Sequence, residues 1–203
     1  MAAYQSMALL DAIIEPEWWL RYFSFDFGFS PDRTISLGSM QNGSGDYLHA
    51  IFGPSGCLIH GFAHEYPMTP YANKPPRVFP GVVDQIPKEF ASQRAALHEE
   101  WWNEMVTFCI WRREADDRWH LGDVKFGDDP DPDGSGFLLS HYDGRPESYH
   151  AWAEDYYEPR KLDLAAIKHV FAHRPLTEEI VRTLNPARSM KELADEVREI
   201  GYP

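Results

Sequence analysis

The sequence predicts an α+β fold: an antiparallel sheet in the first two-thirds of the chain, with helices packed on it mainly from the C-terminal third. Three observations predict it. Short β-branched and aromatic runs separated by glycine, proline and asparagine turns fill the region from Thr34 to Arg112. Apolar positions at helical spacing take over after Pro146. The chain has 203 residues, 43% of them hydrophobic and 14% aromatic, which suffices for one core and excludes global disorder. The expected organisation is a single domain over 1–203, sheet-rich over 1–145 and helical over 146–203.

Taken in order, Ala3–Ile14 carries Met7, Leu10 and Ile14 at helical spacing, and Pro16 opens a second element over Glu17–Phe23 with Trp18, Trp19 and Tyr22 as bulky anchors. Thr34–Met40 alternates like a strand. The turn Asn42-Gly43-Ser44-Gly45 leads to a strand over Tyr47–Phe52, and Gly53-Pro54-Ser55-Gly56 to another over Cys57–Phe62, giving a three-strand meander. Five prolines make Tyr66–Pro80 a loop. Val82–Phe90 and Ala91–Trp102 read as helical, and Met105–Arg112 as a buried strand. Asp116-Asp117 makes a turn after which Trp119–Lys125 pairs back. Gly127–Gly136 is an acidic loop, and Phe137–His141 reads as a short strand. Pro146 then opens a helix to about Glu158, and Leu162–Phe171 forms a second. Thr177 and Ser189 cap two more, the last ending before Gly201.

Charge narrows the partners. Nineteen Lys and Arg stand against 32 Asp and Glu, a formal net charge of −13, which repels nucleic acid and anionic lipid and attracts basic proteins. The acid is concentrated: residues 116–158 hold twelve acids and three bases. Cys57 and Cys109 sit in apolar runs and read as buried thiols rather than a disulfide framework. Met1–Trp19 has neither a basic n-region nor a long apolar h-region, and no apolar stretch is long enough to span a bilayer, so a cytoplasmic location is expected.

Several segments have the composition of sites. Asp129-Pro130-Asp131-Pro132-Asp133-Gly134 has the spacing of a calcium loop, but Ser140 stands where the bidentate glutamate belongs. His60, His64 and the adjacent Glu65 offer a four-residue histidine spacing. On an extended segment the two rings would lie about 13 Å apart at ~3.3 Å per residue. These residues, with the three aspartates, are the candidate metal ligands, and a metal-dependent enzyme is the alternative they support. No G-x-S-x-G elbow, P-loop or dinucleotide fingerprint occurs, so neither catalytic residues nor a cofactor is expected. On the helix over Ser148–Glu158, Tyr149, Trp152 and Tyr156 form an aromatic stripe beside Glu154, Asp155, Tyr157 and Glu158. Aromatics anchor interfaces and acids steer basic partners. The candidate partner-binding residues are therefore Asp128, Asp129, Asp131, Asp133, Trp152, Glu154, Asp155, Tyr157 and Glu158.

The phrases Asn42–Asp46, Gly61–Glu65, Thr107–Arg112, Asp131–Ser135, Ala153–Glu158 and Ile200–Pro203 together resemble a family of bacterial cytosolic proteins of uncharacterised role. More loosely, they resemble the immunity proteins that accompany polymorphic and type VI secreted toxins. That resemblance implies a protein that neutralises a cognate toxin by direct contact. The implied toxin is a nuclease with a basic, phosphate-binding cleft. A non-toxin adaptor is the other binding role the composition allows.

Overall fold

The computed structural model describes residues 1–158 and 160–203. Its elements in chain order are α1 (Ala2–Ile14), β1 (Phe23–Asp26), β2 (Ser36–Gln41), β3 (Tyr47–Gly53), β4 (Gly56–Phe62), α2 (Ala91–Arg94), α3 (Glu99–Glu104), β5 (Phe108–Arg112), β6 (His120–Leu121), α4 (Ser135–Leu139), α5 (Pro146–Tyr156), α6 (Leu164–Phe171), α7 (Glu178–Leu184) and α8 (Ala194–Ile200). The α+β class holds, with the antiparallel sheet early in the chain and α4–α8 late. No helix among the described residues is long and apolar enough to cross a membrane. The chain divides into two compact units. One combines Met1–Phe27 with His141–Pro203, and the other runs from Gly28 to Ser140.

The first unit is organised around α1, in which every residue from Tyr4 to Ile14 is buried. A helix buried all round must satisfy its polar side chains internally. Gln5 Nε2 donates to the Ile200 and Gly201 carbonyls, both at 3.0 Å, and Ser6 Oγ to the Val170 carbonyl at 3.2 Å. The last carbonyls of α1 have no partner within the helix. Side chains from far down the chain supply one: Arg188 to Ala12, Asn185 to Ile13 and Ile14, and Arg160 to Ile14. Two of these donors are guanidinium groups, which also favour the negative end of the helix dipole. β1 lies against α1 and α8, and α6 packs on α1, α5 and α7.

The helix starts follow side-chain chemistry. Asp163 accepts from Ala166 N at 2.7 Å to open α6, and Thr177 accepts from Ile180 N at 3.3 Å to open α7. Ser189 accepts from Glu192 N in a turn ahead of α8, whose regular hydrogen bonding begins at Ala194. Gly201 ends α8 at φ 66°, and Tyr202 N reaches back to the Val197 carbonyl.

In the second unit β2, β3, β4, β5 and β6 form an antiparallel sheet in sequence order. Pro54-Ser55 is the two-residue hairpin between Gly53 and Gly56. Gly56 has φ +123°, and a Cβ there would stand 2.2 Å from the Arg112 carbonyl oxygen, so the turn admits only glycine. One face of the sheet presents Ile51, Leu58, Cys109 and Trp111 to a core completed by Met68, Val82, Phe90, Trp102 and Val106 from the long segment between β4 and β5.

Several expected elements differ from the structure. Phe137–His141 is not a strand, because Ser135–Leu139 is helix α4. Val82–Phe90 is turns followed by a 3₁₀ turn at Lys88–Phe90, since Pro87 breaks a helix there. Ala91–Trp102 divides into α2 and α3. Glu17–Phe23 is a 3₁₀ turn at Trp18–Leu20, with β1 starting at Phe23. The boundary between sheet-rich and helical parts falls at His141, and the first 27 residues belong with the helical unit. Cys109 is buried, but Cys57 is only partly so.

Candidate interaction surface

The aspartate loop lies in the second unit, and most of its carboxylates are turned onto their own backbone. Asp131 accepts from Gly136 N at 2.9 Å and from Phe137 N at 3.0 Å, fixing the first turn of α4. Asp129 accepts from Asp131 N, and Asp133 from Ser135 N. Asp133 is 6% exposed, and its carbonyl accepts from Thr107 Oγ1 at 2.6 Å. Asp128 and Asp129 are exposed. The alternating aspartates thus build the loop and cap the helix behind it, and only the loop's leading edge presents charge outward.

The helical candidates lie on α5 in the first unit. The buried stripe of this helix is Tyr149, Ala153 and Tyr157, at spacing i, i+4, i+8. It is drawn inward by Asp11. That carboxylate accepts from Tyr22 N at 3.0 Å, Phe23 N at 2.7 Å and the Tyr149 hydroxyl at 2.6 Å, and it also bonds the Tyr157 hydroxyl. Burial pushes Asp11 up to about 6, against the pull of these donors, which favour the anion. Tyr157 is 8% exposed, so it braces the helix from within and does not face a partner. Glu154 accepts from Leu162 N at 3.0 Å and holds the α5–α6 connection.

Above this knot Trp152 and Tyr156 stack, with ring centroids 5.1 Å apart and planes 22° apart. The Tyr22 ring sits against both, at 4.8 and 5.2 Å, and His141 stands edge-on to Trp152 at 5.7 Å. Tyr156 is 40% exposed and Trp152 half-buried, while Asp155 and Glu158 are exposed beside them. The arrangement is an aromatic shelf with two outward carboxylates, made rigid from beneath.

The histidine candidates are not brought together. His60 is fully buried on β4, with Nε2 donating to the Trp101 carbonyl at 2.9 Å. His64 lies past the strand end, where Nδ1 donates to Asp46 at 2.9 Å and Nε2 stands 3.6 Å from Glu65. Among the described residues no group of three or more His, Cys, Asp or Glu side chains could hold a metal ion. His60 instead pairs in register with His49 on β3, their ring centroids 6.0 Å apart. Burial depresses both imidazoles, His49 to about 3 with help from His60, and His60 to about 4. Both rings are therefore neutral near pH 7, and they sit among Tyr47, Trp101 and Trp102 as part of the sheet's packing.

Sequence reasoning missed Asp11 and the role of Tyr156. A lone acid inside Met7–Ile14, an otherwise apolar run, is the signal that marks Asp11. Comparison of the chain with protein-family models, curated proteins and solved structures finds no match.

Proposed function

We propose that the protein is a cytoplasmic immunity protein that binds and neutralises a basic toxin, a nuclease effector of the secreted type. The observation that carries this reading is the shelf on α5: the stacked Trp152–Tyr156 pair with Asp155 and Glu158 exposed beside it. Rings that are already immobilised lose little entropy on docking, and flat half-open aromatics are the usual anchors of interfaces. The two carboxylates, on a chain of net charge −13, accelerate the approach of a cationic surface. Inhibition in this scheme is steric and electrostatic: the acidic shelf covers the cationic cleft in which the toxin would bind phosphate.

Co-expression tests this. The product of the adjacent gene should arrest growth alone, be harmless with this protein, and form a complex whose association slows as salt rises. A neighbouring product that is harmless alone, or that this protein does not bind, removes the reading.

A further inference from the structure

A second surface of the first unit lies where α1 hands the chain to β1. Pro16 follows the helix, and one 3₁₀ turn, Trp18–Leu20, spans the gap. That turn buries none of its side chains: Trp18 and Trp19 are each 67% exposed and Leu20 is 51% exposed. By contrast Trp102 and Trp111 are at most 5% exposed. Two adjacent bare indoles are far from the usual fate of the residue with most apolar surface to bury, and clustered exposed apolar surface marks interaction sites.

The indoles line a groove of about 390 Å³ together with the buried Phe25 and Ile200, the acids Glu17 and Glu199, and Arg21. A third acid, Glu196, is already paired, with Arg21 at 3.1 Å and Arg188 at 3.2 Å. The side-chain carboxylates of Glu17 and Glu199 have no ion-pair or hydrogen-bond partner among the described residues. Partial burial raises the Glu199 carboxyl, and so does the repulsion of Asp26 and Glu196, with Arg21 pulling weakly the other way. The Arg21 guanidinium is taken up by the Glu15 and Pro16 carbonyls and by Glu196, so a groove with bare indoles and two carboxylates not directly paired is complementary to one kind of group: a cation on an apolar stem.

We propose that this groove binds a lysine- or arginine-bearing segment of a partner polypeptide. The aliphatic stem lies against Trp18 and Trp19, and the charged head sits at Glu17 and Glu199. The site uses none of the α5 shelf, so it goes beyond the function proposed above, and either can fail alone.

The seven tryptophans give a direct readout through their indole N–H signals in ¹H–¹⁵N spectra of the full chain. Trp18→Phe and Trp19→Phe assign the two that matter. An arginine-rich hexapeptide should move those two signals saturably. Glu17→Gln and Glu199→Gln should each weaken binding about threefold, and 0.5 M salt should weaken it further. Asp155→Lys should leave this titration unchanged. Stationary Trp18 and Trp19 signals at millimolar peptide overturn the proposal. So does an equal response to a neutral, leucine-rich hexapeptide, which makes the groove merely apolar. So do signals that move with protein concentration alone, which assign the groove to a second copy of the chain.

Discussion

Replacing Asp11 with asparagine tests the balance at the centre of the first unit. The carboxylate is fully buried, and four donors hold it: two backbone amides and two tyrosine hydroxyls. Burial opposes the charge and the donors favour it. Burial wins, leaving the folded-state value at about 6 against an ordinary 3.8. The direction of the linkage follows. Between those two values the folded chain holds a proton that the unfolded chain has released, so stability rises as pH falls through about 6 and stops rising below 3.8. At about 1.4 kcal/mol per pKa unit the full effect is about 3 kcal/mol, of which about 1.3 kcal/mol develops between pH 7 and pH 5. Other carboxylates titrate in the same range, so the quantity to measure is the difference between wild type and Asp11→Asn. Urea denaturation followed by tryptophan fluorescence at pH 5, 6, 7 and 8 supplies it. The wild type should gain about 1.3 kcal/mol on the variant from pH 7 to pH 5. A flat difference, or one of opposite slope, would show that the four donors outweigh burial, and the reasoning fails.

Three further outcomes are expected. Asp131→Ala removes the acceptor for Gly136 N and Phe137 N and should cost about 1 kcal/mol in thermal denaturation, whereas Asp128→Ala should change stability by less than about 0.5 kcal/mol. Asp155→Lys combined with Glu158→Lys should leave stability unchanged yet slow association with the basic partner about tenfold at low salt, and stopped-flow binding should show the gap closing at high salt. Burial pushes the Cys57 thiol up to about 12 and raises Cys109 as well. A thiol-reactive dye at pH 8 should therefore label the folded chain slowly and both cysteines rapidly in denaturant.

What could be read from the residues was what depends on neighbours in sequence. The meander β2–β4 follows from alternation and from the turns at Asn42–Gly45 and Pro54-Ser55, each encoded within a few residues. The cap at Thr177 is local too. Phe137-Leu138-Leu139 reads as a strand yet forms a helix, because three apolar residues in a row fit either equally. The decision belongs to Asp131, which lies outside the run and caps its first turn. On α5 the spacing groups Tyr149 with Trp152 and Tyr156 as one aromatic stripe, whereas burial groups it with Ala153 and Tyr157. Tyr149 belongs to both groups, and the bond of the Tyr157 hydroxyl to Asp11, from the first helix of the chain, selects the buried one. The same limit applies at Trp18 and Trp19, since nothing in two adjacent indoles says whether other elements will cover them.

The side chains that satisfy the end of α1 have a consequence for synthesis. Arg160, Asn185 and Arg188, and the helices α6–α8 that bury α1, are translated long after it. At roughly 5–20 residues per second the 150 residues between Ile14 and Leu164 take roughly 8–30 s to emerge. The contiguous unit from Gly28 to Ser140 can close in that interval. Throughout it, the thirteen-residue α1 has β1 beside it but lacks the helices that complete its burial. The nascent chain therefore passes through a stage in which its most apolar segment is open to chaperones. A ribosome stalled just after Ser140 should expose α1 to crosslinking by trigger-factor-type chaperones, and one stalled after the last residue of a tethered full chain should not.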